Sequence, residues 1–295
     1  MLDPGLISDL EAGNVRILRK LDLSAFPHAR EVEADFTYST GLALDLETTG
    51  VDCDRHAIVQ LGARTFWYDQ HGRIVALGDP VQWLEDPGAP LPPEIVRLTG
   101  LTDADIAGKR IDEDALTSLV RTVDFVAAHN ARFDRGFLDR RFPNLKNLPW
   151  ACSCAEIDWA AHGFDGRGLG ALLMQAGWFS GAGAHRADAD VDSLIALLAH
   201  EFTDTGETAL SELLKSAKRT TWRLSAEGAC YDFKGALRDR GYRWNQRQYV
   251  WQFEVEDGEL EAEKAWLAAS IYAPRCRPAA QGPRVEKITW RERHG

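Results

Sequence analysis

Three segments in the first third of the chain are dominated by apolar, aromatic and β-branched residues. These segments are 36–47, 57–69 and 72–84, and their composition favours strands over helices. The polar stretch from Asp69 to Gly72 separates the last two segments and is typical of a hairpin turn. We therefore predict three consecutive strands, of which the second and third form a hairpin.

Helical spacing of apolar residues takes over further along the chain. The segments with this spacing are 92–100, 115–122, 133–141, 155–162, 168–177 and 191–198. Between two of them, Phe125 to Asn130 forms a short apolar strand that leads directly into a helix. A junction of this kind lies at the carboxyl edge of a sheet, where open α/β sheets bind ligands. The pattern predicts an α/β domain of three layers over residues 36–203.

The two ends of the chain differ in pattern from this central domain. Residues 1–35 have apolar positions near helical spacing and predict an N-terminal helical extension, and residues 204–218 predict a helical linker. Residues 219–273 combine a strand, a helix, a hairpin and a last helix, which predicts a small α+β domain. The segment 274–295 is rich in proline and arginine, so we predict a disordered basic tail.

Charge is distributed unevenly between these parts. The net charge is −11, but residues 1–217 carry 19 basic and 34 acidic side chains, whereas residues 218–250 carry eight basic and three acidic ones. An acidic body with a basic C-terminal part indicates a metal-dependent site joined to a polyanion-binding module. A membrane span needs about 18 consecutive apolar residues, and we expect none. Five scattered cysteines suit a reducing compartment, so we expect a cytoplasmic protein.

Two carboxylates end the first predicted strand. Side chains two positions apart on a strand project from the same face, so Asp45 and Glu47 lie side by side. Adjacent carboxylates repel each other unless they are protonated or bind a cation, and Mg²⁺ and Mn²⁺ prefer oxygen ligands of this type. A solvent-facing acidic edge is the alternative that the pair alone leaves open.

Three further residues complete a candidate set with Asp45 and Glu47. Asp134 follows the apolar strand at its junction with a helix, and His185 and Asp190 precede the last helix of the domain. Four carboxylates at one sheet edge fit a pair of divalent ions, which can activate water and stabilise a leaving oxygen. A histidine, with an ordinary pKa of about 6.5, suits the transfer of a proton from that water. His129, Asp188 and Asp192 are interpreted as packing or surface residues.

Three segments carry a resemblance to a known family. The sequence Leu44–Gly50 (LDLETTG), the sequence His129–Asp134 (HNARFD) and the pair His185 and Asp190 resemble, in this order, the three motifs of the DEDDh 3′–5′ exonucleases. That family has the ribonuclease-H-like fold and includes the proofreading epsilon subunit of bacterial DNA polymerase III. The resemblance covers about residues 36–203 and implies a ribonuclease-H-like exonuclease domain with a mixed sheet.

The resemblance implies a role for each matching residue. Asp45, Glu47, Asp134 and Asp190 would hold two Mg²⁺ or Mn²⁺ ions, and His185 would act as the general base. Glu47 is therefore also counted among the catalytic residues. The main chain near Glu47 and Thr48 would hold the 3′-terminal nucleotide, with Asn130 near the scissile strand. The implied reaction releases nucleoside 5′-monophosphates from the 3′ end of DNA, in proofreading, repair or other DNA processing.

The basic C-terminal domain interleaves cations with aromatic residues. We expect Arg243 and Arg247 to contact substrate, because cationic side chains give sequence-independent affinity for phosphates. The expected partner is nucleic acid, with DNA favoured over RNA, and a polymerase or repair complex is a further expected partner. Two alternatives stay open: a ribonuclease-T-like enzyme that trims RNA 3′ ends, and a non-catalytic scaffold of a polymerase or repair complex.

Overall fold

The computed structural model describes residues 14–28, 38–181, 185–273 and 278–295. The chain divides into two compact units. The first comprises Met1–Ala217 with His294–Gly295, and the second comprises Lys218–Arg293. None of the helices in the described part of the chain is long and apolar enough to cross a membrane.

The first unit contains seven strands and seven helices among its described residues. The strands are β1 (Arg19–Lys20), β2 (Ser39–Thr48), β3 (Ile58–Tyr68), β4 (Ile74–Leu84), β5 (Phe125–Ala128), β6 (Trp150–Cys152) and β7 (Trp178–Phe179). The helices are α1 (Pro93–Thr99), α2 (Asp103–Ile106), α3 (Glu113–Arg121), α4 (Ala131–Arg141), α5 (Leu169–Gln175), α6 (Ala187–Ala199) and α7 (Ala209–Ala217).

A mixed five-stranded sheet forms the middle layer of this unit. Its spatial order is β4-β3-β2-β5-β6, in which β4, β3 and β2 are antiparallel neighbours and β5 and β6 run parallel to β2. The central strand β2 is buried along most of its length, because helices cover both faces of the sheet. Strands β1 and β7 pair separately, in parallel.

Helices on the two faces complete the predicted three layers. On one face, α3 and α4 enclose a core that includes Leu44, Leu61, Val126, Phe137 and Trp150. On the other face, α6 packs against β2, β3 and β4. The α/β fold class with a ribonuclease-H-like arrangement is confirmed.

Some predicted elements differ from the structure. The described part of the N-terminal extension, 14–28, contains β1 and no helix, so the helical prediction is wrong there; residues 1–13 and 29–35 lie outside the described residues. Residues 155–162 form turns instead of a helix. The segment predicted as a linker ends in α7, whose Leu210 and Leu213 are fully buried, so this helix belongs to the first unit.

The second unit is a small α+β structure. It contains β8 (Thr221–Ser225), α8 (Lys234–Arg240), β9 (Arg243–Asn245), β10 (Val250–Glu256), α9 (Leu260–Ser270) and β11 (Arg284–Ile288). The four strands form an antiparallel sheet in the order β11-β8-β10-β9. Its core includes Leu224, Leu237, Tyr242, Val255 and Leu267.

Two expectations for the C-terminal part are corrected. The predicted disordered tail contributes β11, which pairs with β8 over Arg284 to Ile288, because its Val285 and Ile288 supply apolar side chains to a sheet edge. Residues 274–277 lie outside the described residues. Cys230 is disulfide-bonded, which the interpretation of the scattered cysteines did not predict, whereas Cys53, Cys152 and Cys154 are free.

Candidate metal and catalytic centre

Asp45 and Glu47 lie near the end of the central strand β2. In the antiparallel pairing with β3, Asp45 lies opposite Gly62 and Glu47 lies opposite Gln60, and the register shifts directly after Glu47. Glu47 is only 9% exposed, while Asp45 is partly buried. Both side chains share one face of the sheet, as predicted from the strand period, and both lie at its carboxyl edge.

Asp134 reaches the same edge from the first turn of α4. Asn130 has a φ of 85°, in the left-handed region that asparagine tolerates, and it turns the chain from β5 into the helix. The Asp134 side chain is 2% exposed, and its Oδ1 accepts a hydrogen bond of 3.1 Å from the main-chain N–H of Leu46. Asp134 is therefore fixed directly to the strand that carries Asp45 and Glu47.

His185 and Asp190 approach from the start of α6. Side-chain ligand atoms of Glu47, His185 and Asp190 all lie within 4.8 Å of one another. His185 is exposed and has a φ of 67°, and its main chain hydrogen-bonds to the Asp190 carboxylate. The structure thus brings two side chains of the third motif to Glu47 of the first.

Burial raises the pKa values of all four carboxyls, and repulsion from neighbouring carboxylates adds to it. Burial is the main cause in each case. It raises the pKa of Glu47 to about 7, with a further contribution from Asp190, and it raises the pKa of Asp134 to about 8. The pKa of Asp45 is raised well above its usual range by burial and by Asp134, Asp190 and Glu47. Burial also raises the pKa of Asp190, against the opposing effect of the His185 charge.

These residues fit a hard divalent cation. Buried carboxyls with raised pKa values are groups whose charge lacks compensation, and a bound cation supplies that compensation. The donors are carboxylate oxygens with one imidazole nearby, a set that suits Mg²⁺ or Mn²⁺. Asp45 and Asp134 are not members of this group of three, but the charges of Asp134, Asp190 and Glu47 raise the pKa of Asp45, and the charge of Glu47 raises the pKa of Asp134.

Two predicted substrate-binding residues lie close to this centre along the chain. The hydroxyl of Thr48 donates a hydrogen bond of 2.6 Å to the carbonyl of Gly50, and Thr48 is buried. Asn130 is exposed at the start of α4. Arg243 and Arg247 are exposed in the second unit, on β9 and on the turn that follows it.

The residues interpreted as packing or surface positions have partners of their own. His129 forms hydrogen bonds through both ring nitrogens, with Ser153 and with the carbonyl of Arg167. Asp188 pairs with Arg186, and Asp192 pairs with Arg64. These contacts agree with their interpretation as packing or surface residues, which stays a prediction.

Sequence reasoning missed the residues of β3 that face the centre. Gln60 is fully buried beside Glu47, and Gly62 lies against the main chain of Ala187 at the start of α6. The alternation of Gln60 and Gly62 with the apolar residues Val59, Leu61 and Ala63 was a usable signal, because a buried polar side chain on a central strand needs a specific partner.

Comparisons with known proteins identify the family of the chain. A family profile described as exonuclease, of the RNase T type, matches residues 42–198. DNA polymerase III PolC-type of Streptococcus suis is 34% identical over 120 residues, which cover 39% of this chain and 7% of that protein. The PolC-type polymerase of Thermotoga maritima is 30% identical over 128 residues, covering 42% of this chain and 9% of that protein. The chain thus spans less than a tenth of these relatives.

Two solved structures are also similar. Exonuclease X in complex with 5′ overhanging duplex DNA has 24% sequence identity and a TM-score of 0.44, covering 60% of this chain and 99% of that one. Exonuclease I has 18% identity and a TM-score of 0.48, covering 86% of this chain and 63% of that one. The family profile matches more than half of the chain, and the chain therefore belongs to the exonuclease family of the RNase T type.

Proposed function

We propose that this protein is a metal-dependent 3′–5′ exonuclease that hydrolyses the terminal phosphodiester bond of DNA and releases nucleoside 5′-monophosphates. The observation that carries the proposal is the convergence of Glu47, His185 and Asp190, with ligand atoms within 4.8 Å, beside the partly buried Asp45 and the buried Asp134. Asp45, Glu47, Asp134 and Asp190 would hold two Mg²⁺ or Mn²⁺ ions. When bound, such a pair activates water and stabilises the leaving oxygen of a phosphoryl displacement.

The protein's own residues supply the remaining requirements. His185 is exposed to solvent, so its imidazole can accept the proton of the attacking water and return it to bulk. Asp134 is held by the N–H of Leu46, which keeps its carboxylate in register with Asp45 and Glu47. The main chain at Thr48 and the side chain of Asn130 would orient the terminal nucleotide. Glu47 would act both as a metal ligand and as a catalytic residue.

A single substitution tests the proposal. We expect Asp45→Asn to abolish the release of labelled mononucleotide from 3′-labelled oligonucleotides in Mg²⁺ or Mn²⁺, because it removes one carboxylate charge from the centre. Asp165→Asn is a matched control, since Asp165 is exposed and lies on a loop outside the cluster. Retention of full activity in Asp45→Asn would contradict the proposal.

The proposal also specifies DNA as the preferred substrate. It is supported by the named relatives, which are DNA polymerases, and the same oligonucleotide series made in RNA tests it. Faster cleavage of RNA would favour the RNA-trimming alternative. Absence of cleavage of both polymers by the wild-type protein with metal present would favour the scaffold of a polymerase or repair complex.

We further propose that the second unit retains the nucleic acid substrate. It carries 15 Lys and Arg against 11 Asp and Glu, but several arginines are paired with acids, as in Arg219–Glu256 and Arg240–Glu263. The β9–β10 hairpin carries Arg243 and Arg247, which are both exposed, together with Tyr249, which is 77% exposed. Exposed cations and an exposed aromatic ring suit phosphates and an unpaired base.

Substitutions on this hairpin test the retention proposal in the full chain. We expect Arg243→Ala with Arg247→Ala to weaken binding of a single-stranded oligonucleotide and to reduce its dependence on salt, because fewer counterions are released. Lys264→Ala is the control, since Lys264 is paired with Glu261 on α9. Unchanged affinity and salt dependence in the double variant would refute the proposal.

A further inference from the structure

Three alternate residues of β3 form the surface on which α6 begins. The side-chain Oε1 of Gln60 accepts a hydrogen bond of 3.3 Å from the main-chain N–H of Ala187, the first residue of α6. Arg64 Nη1 forms an ion pair of 3.0 Å with Asp192 Oδ1, one turn further along the helix. Residues at this spacing on a strand share a face. The start of α6 is therefore docked on one row of β3 side chains.

Gly62 lies between these two contacts and allows the helix to come close. A Cβ atom at this position would lie 2.5 Å from the carbonyl carbon of Ala187 and 2.8 Å from the main-chain nitrogen of Asp188. Both are main-chain atoms, which cannot rotate away as the end of a flexible side chain can. The absence of a side chain at Gly62 thus sets how closely α6 approaches the sheet.

Gln60 is unusual because it is completely buried. Its exposure is 0%, and its Nε2 has no hydrogen-bond partner among the described residues. Burial of an amide with an unused donor is unfavourable, so an apolar residue would serve better here if packing were the only requirement. Gln60 lies directly opposite Glu47 in the β2–β3 pairing, and the two side chains project from the same face of the sheet.

We propose that Gln60 and Gly62 are positioning residues that dock the first turn of α6 on β3, and thereby set the distance of His185 and Asp190 from Glu47. The proposal rests on the proposed nuclease function of the centre. Asp190 follows Ala187 by less than one helical turn, so a shift of Ala187 moves Asp190 with it. Sites of this kind lose activity on displacements of about 1 Å, by about 10²-fold.

The first test replaces Gln60 by methionine, which has similar length and no hydrogen-bonding amide. We expect Gln60→Met to bind Mn²⁺ about 10-fold more weakly in calorimetric titration without substrate, because the partners of a metal site tune its affinity. We expect kcat to fall about 10²-fold with KM for an oligonucleotide nearly unchanged, since only the centre is displaced. Gln175→Met is the control, because Gln175 bonds the main chain at Asp165 and Ala171, outside the centre.

The second test probes the close approach at Gly62. We expect Gly62→Ala to weaken Mn²⁺ binding at least as much as Gln60→Met. Gly170→Ala in α5 is the control, because no atom lies within 4 Å of the position that its Cβ would take. Should Gly62→Ala fail to fold, Gln60→Met decides the question.

The outcomes separate this proposal from the nuclease function. Wild-type Mn²⁺ affinity in a folded Gln60→Met protein overturns the positioning role, whatever the activity. A wild-type protein that binds Mn²⁺ but cleaves no nucleic acid overturns the proposed function, while weaker Mn²⁺ binding in Gln60→Met still supports docking of α6.

Discussion

At the scale of single residues, the centre is a set of acids whose proton affinity the fold has raised. Burial is the main cause for each of the four carboxyls, and repulsion from neighbouring carboxylates adds to it. Each carboxyl therefore holds its proton to higher pH in the folded chain than in the unfolded chain. Binding of a cation must displace these protons, which links metal affinity to pH.

This linkage predicts how stability changes with pH. A carboxyl whose folded-state pKa is raised contributes stability at low pH, and the contribution is lost as pH rises through the folded-state value. For Glu47 the pKa rises from 4.5 to about 7, and for Asp134 from 3.8 to about 8. We expect the metal-free protein to lose stability between about pH 4 and pH 8 on this account.

The measurement is thermal unfolding in Mn²⁺ and in EDTA across this pH range. We expect the gain in Tm on adding Mn²⁺ to increase with pH, because fewer protons compete and more repulsion is relieved. Glu47→Gln should flatten the pH dependence in EDTA, since it removes one titrating group. A gain in Tm that stays constant from pH 5 to pH 8 would contradict this prediction.

The exposed position of His185 leads to a separate prediction. We expect His185→Ala to lower the cleavage rate by about 10²–10⁴-fold, the usual contribution of a general base. Its Tm in EDTA should stay near that of the wild type, because the side chain is exposed. His71→Ala, on the exposed turn between β3 and β4, is the control; a similar rate loss there would count against the assignment.

Residues with a chemical signature could be predicted, and those that act through packing could not. Asp45, Glu47, Asp134, His185 and Asp190 were identified from motifs in which residue type and order carry the chemistry. Gln60 and Gly62 were missed because their roles depend on which helix lies over β3. That contact joins segments more than 120 residues apart, and no local pattern encodes it.

At the scale of elements, long and strongly patterned segments were predicted well. The last helix predicted within residues 219–273 is present as α9 (Leu260–Ser270), and β3 differs from its prediction by one residue at each end. Strands β6 and β11 were missed, because three or five residues at a sheet edge give little periodic signal. Helix α7 was predicted as a helix, but as part of a linker. Its place in the first unit was not predicted, because it depends on tertiary packing.

The attachment of α7 can be tested by unfolding. We expect Leu213→Ala to lower the free energy of unfolding of the first unit by about 2–5 kcal/mol, the usual cost of truncating a buried leucine. Leu267→Ala in α9 is the matched variant in the second unit, because both leucines are 0% exposed.

Metal distinguishes the two transitions in that experiment. The transition that Mn²⁺ raises belongs to the first unit, since the metal ligands lie there. Leu213→Ala should lower that transition, and Leu267→Ala should lower the other one. A leucine substitution in α7 that leaves the Mn²⁺-sensitive transition unchanged would show that the helix is only a linker.

At the scale of the whole molecule, the chain leaves the first unit at Ala217 and returns to it at His294. His294 is 8% exposed, and its Nε2 lies 3.1 Å from Oε2 of Glu156. The same oxygen accepts a hydrogen bond of 2.7 Å from the N–H of Cys152 in β6. Residues 294–295 thus belong to the first unit, whereas the sequence pattern predicts that they belong to a basic tail.

The contact between His294 and Glu156 predicts that His294 stabilises the first unit. We expect His294→Ala to lower the free energy of unfolding of the first unit by about 1–3 kcal/mol, because a buried hydrogen-bonded partner of Glu156 is lost. The Mn²⁺-sensitive transition in thermal unfolding measures this effect. His28→Ala is a control histidine in the same unit, and an equal loss in both variants would argue against a specific role of the chain end.

The centre is assembled from segments that are far apart in the sequence, so its parts form at different times during synthesis of the chain. The hydrogen bond from Leu46 to Asp134 requires α4, and the contact of Glu47 with His185 and Asp190 requires α6. The ribosome completes β2 long before it reaches Asp134, and longer still before it reaches Asp190. A nascent chain that has emerged only to α5 has the acidic strand but lacks the segment that completes the centre. The proposed nuclease would therefore be inert until α6 has emerged from the ribosome and folded onto the sheet.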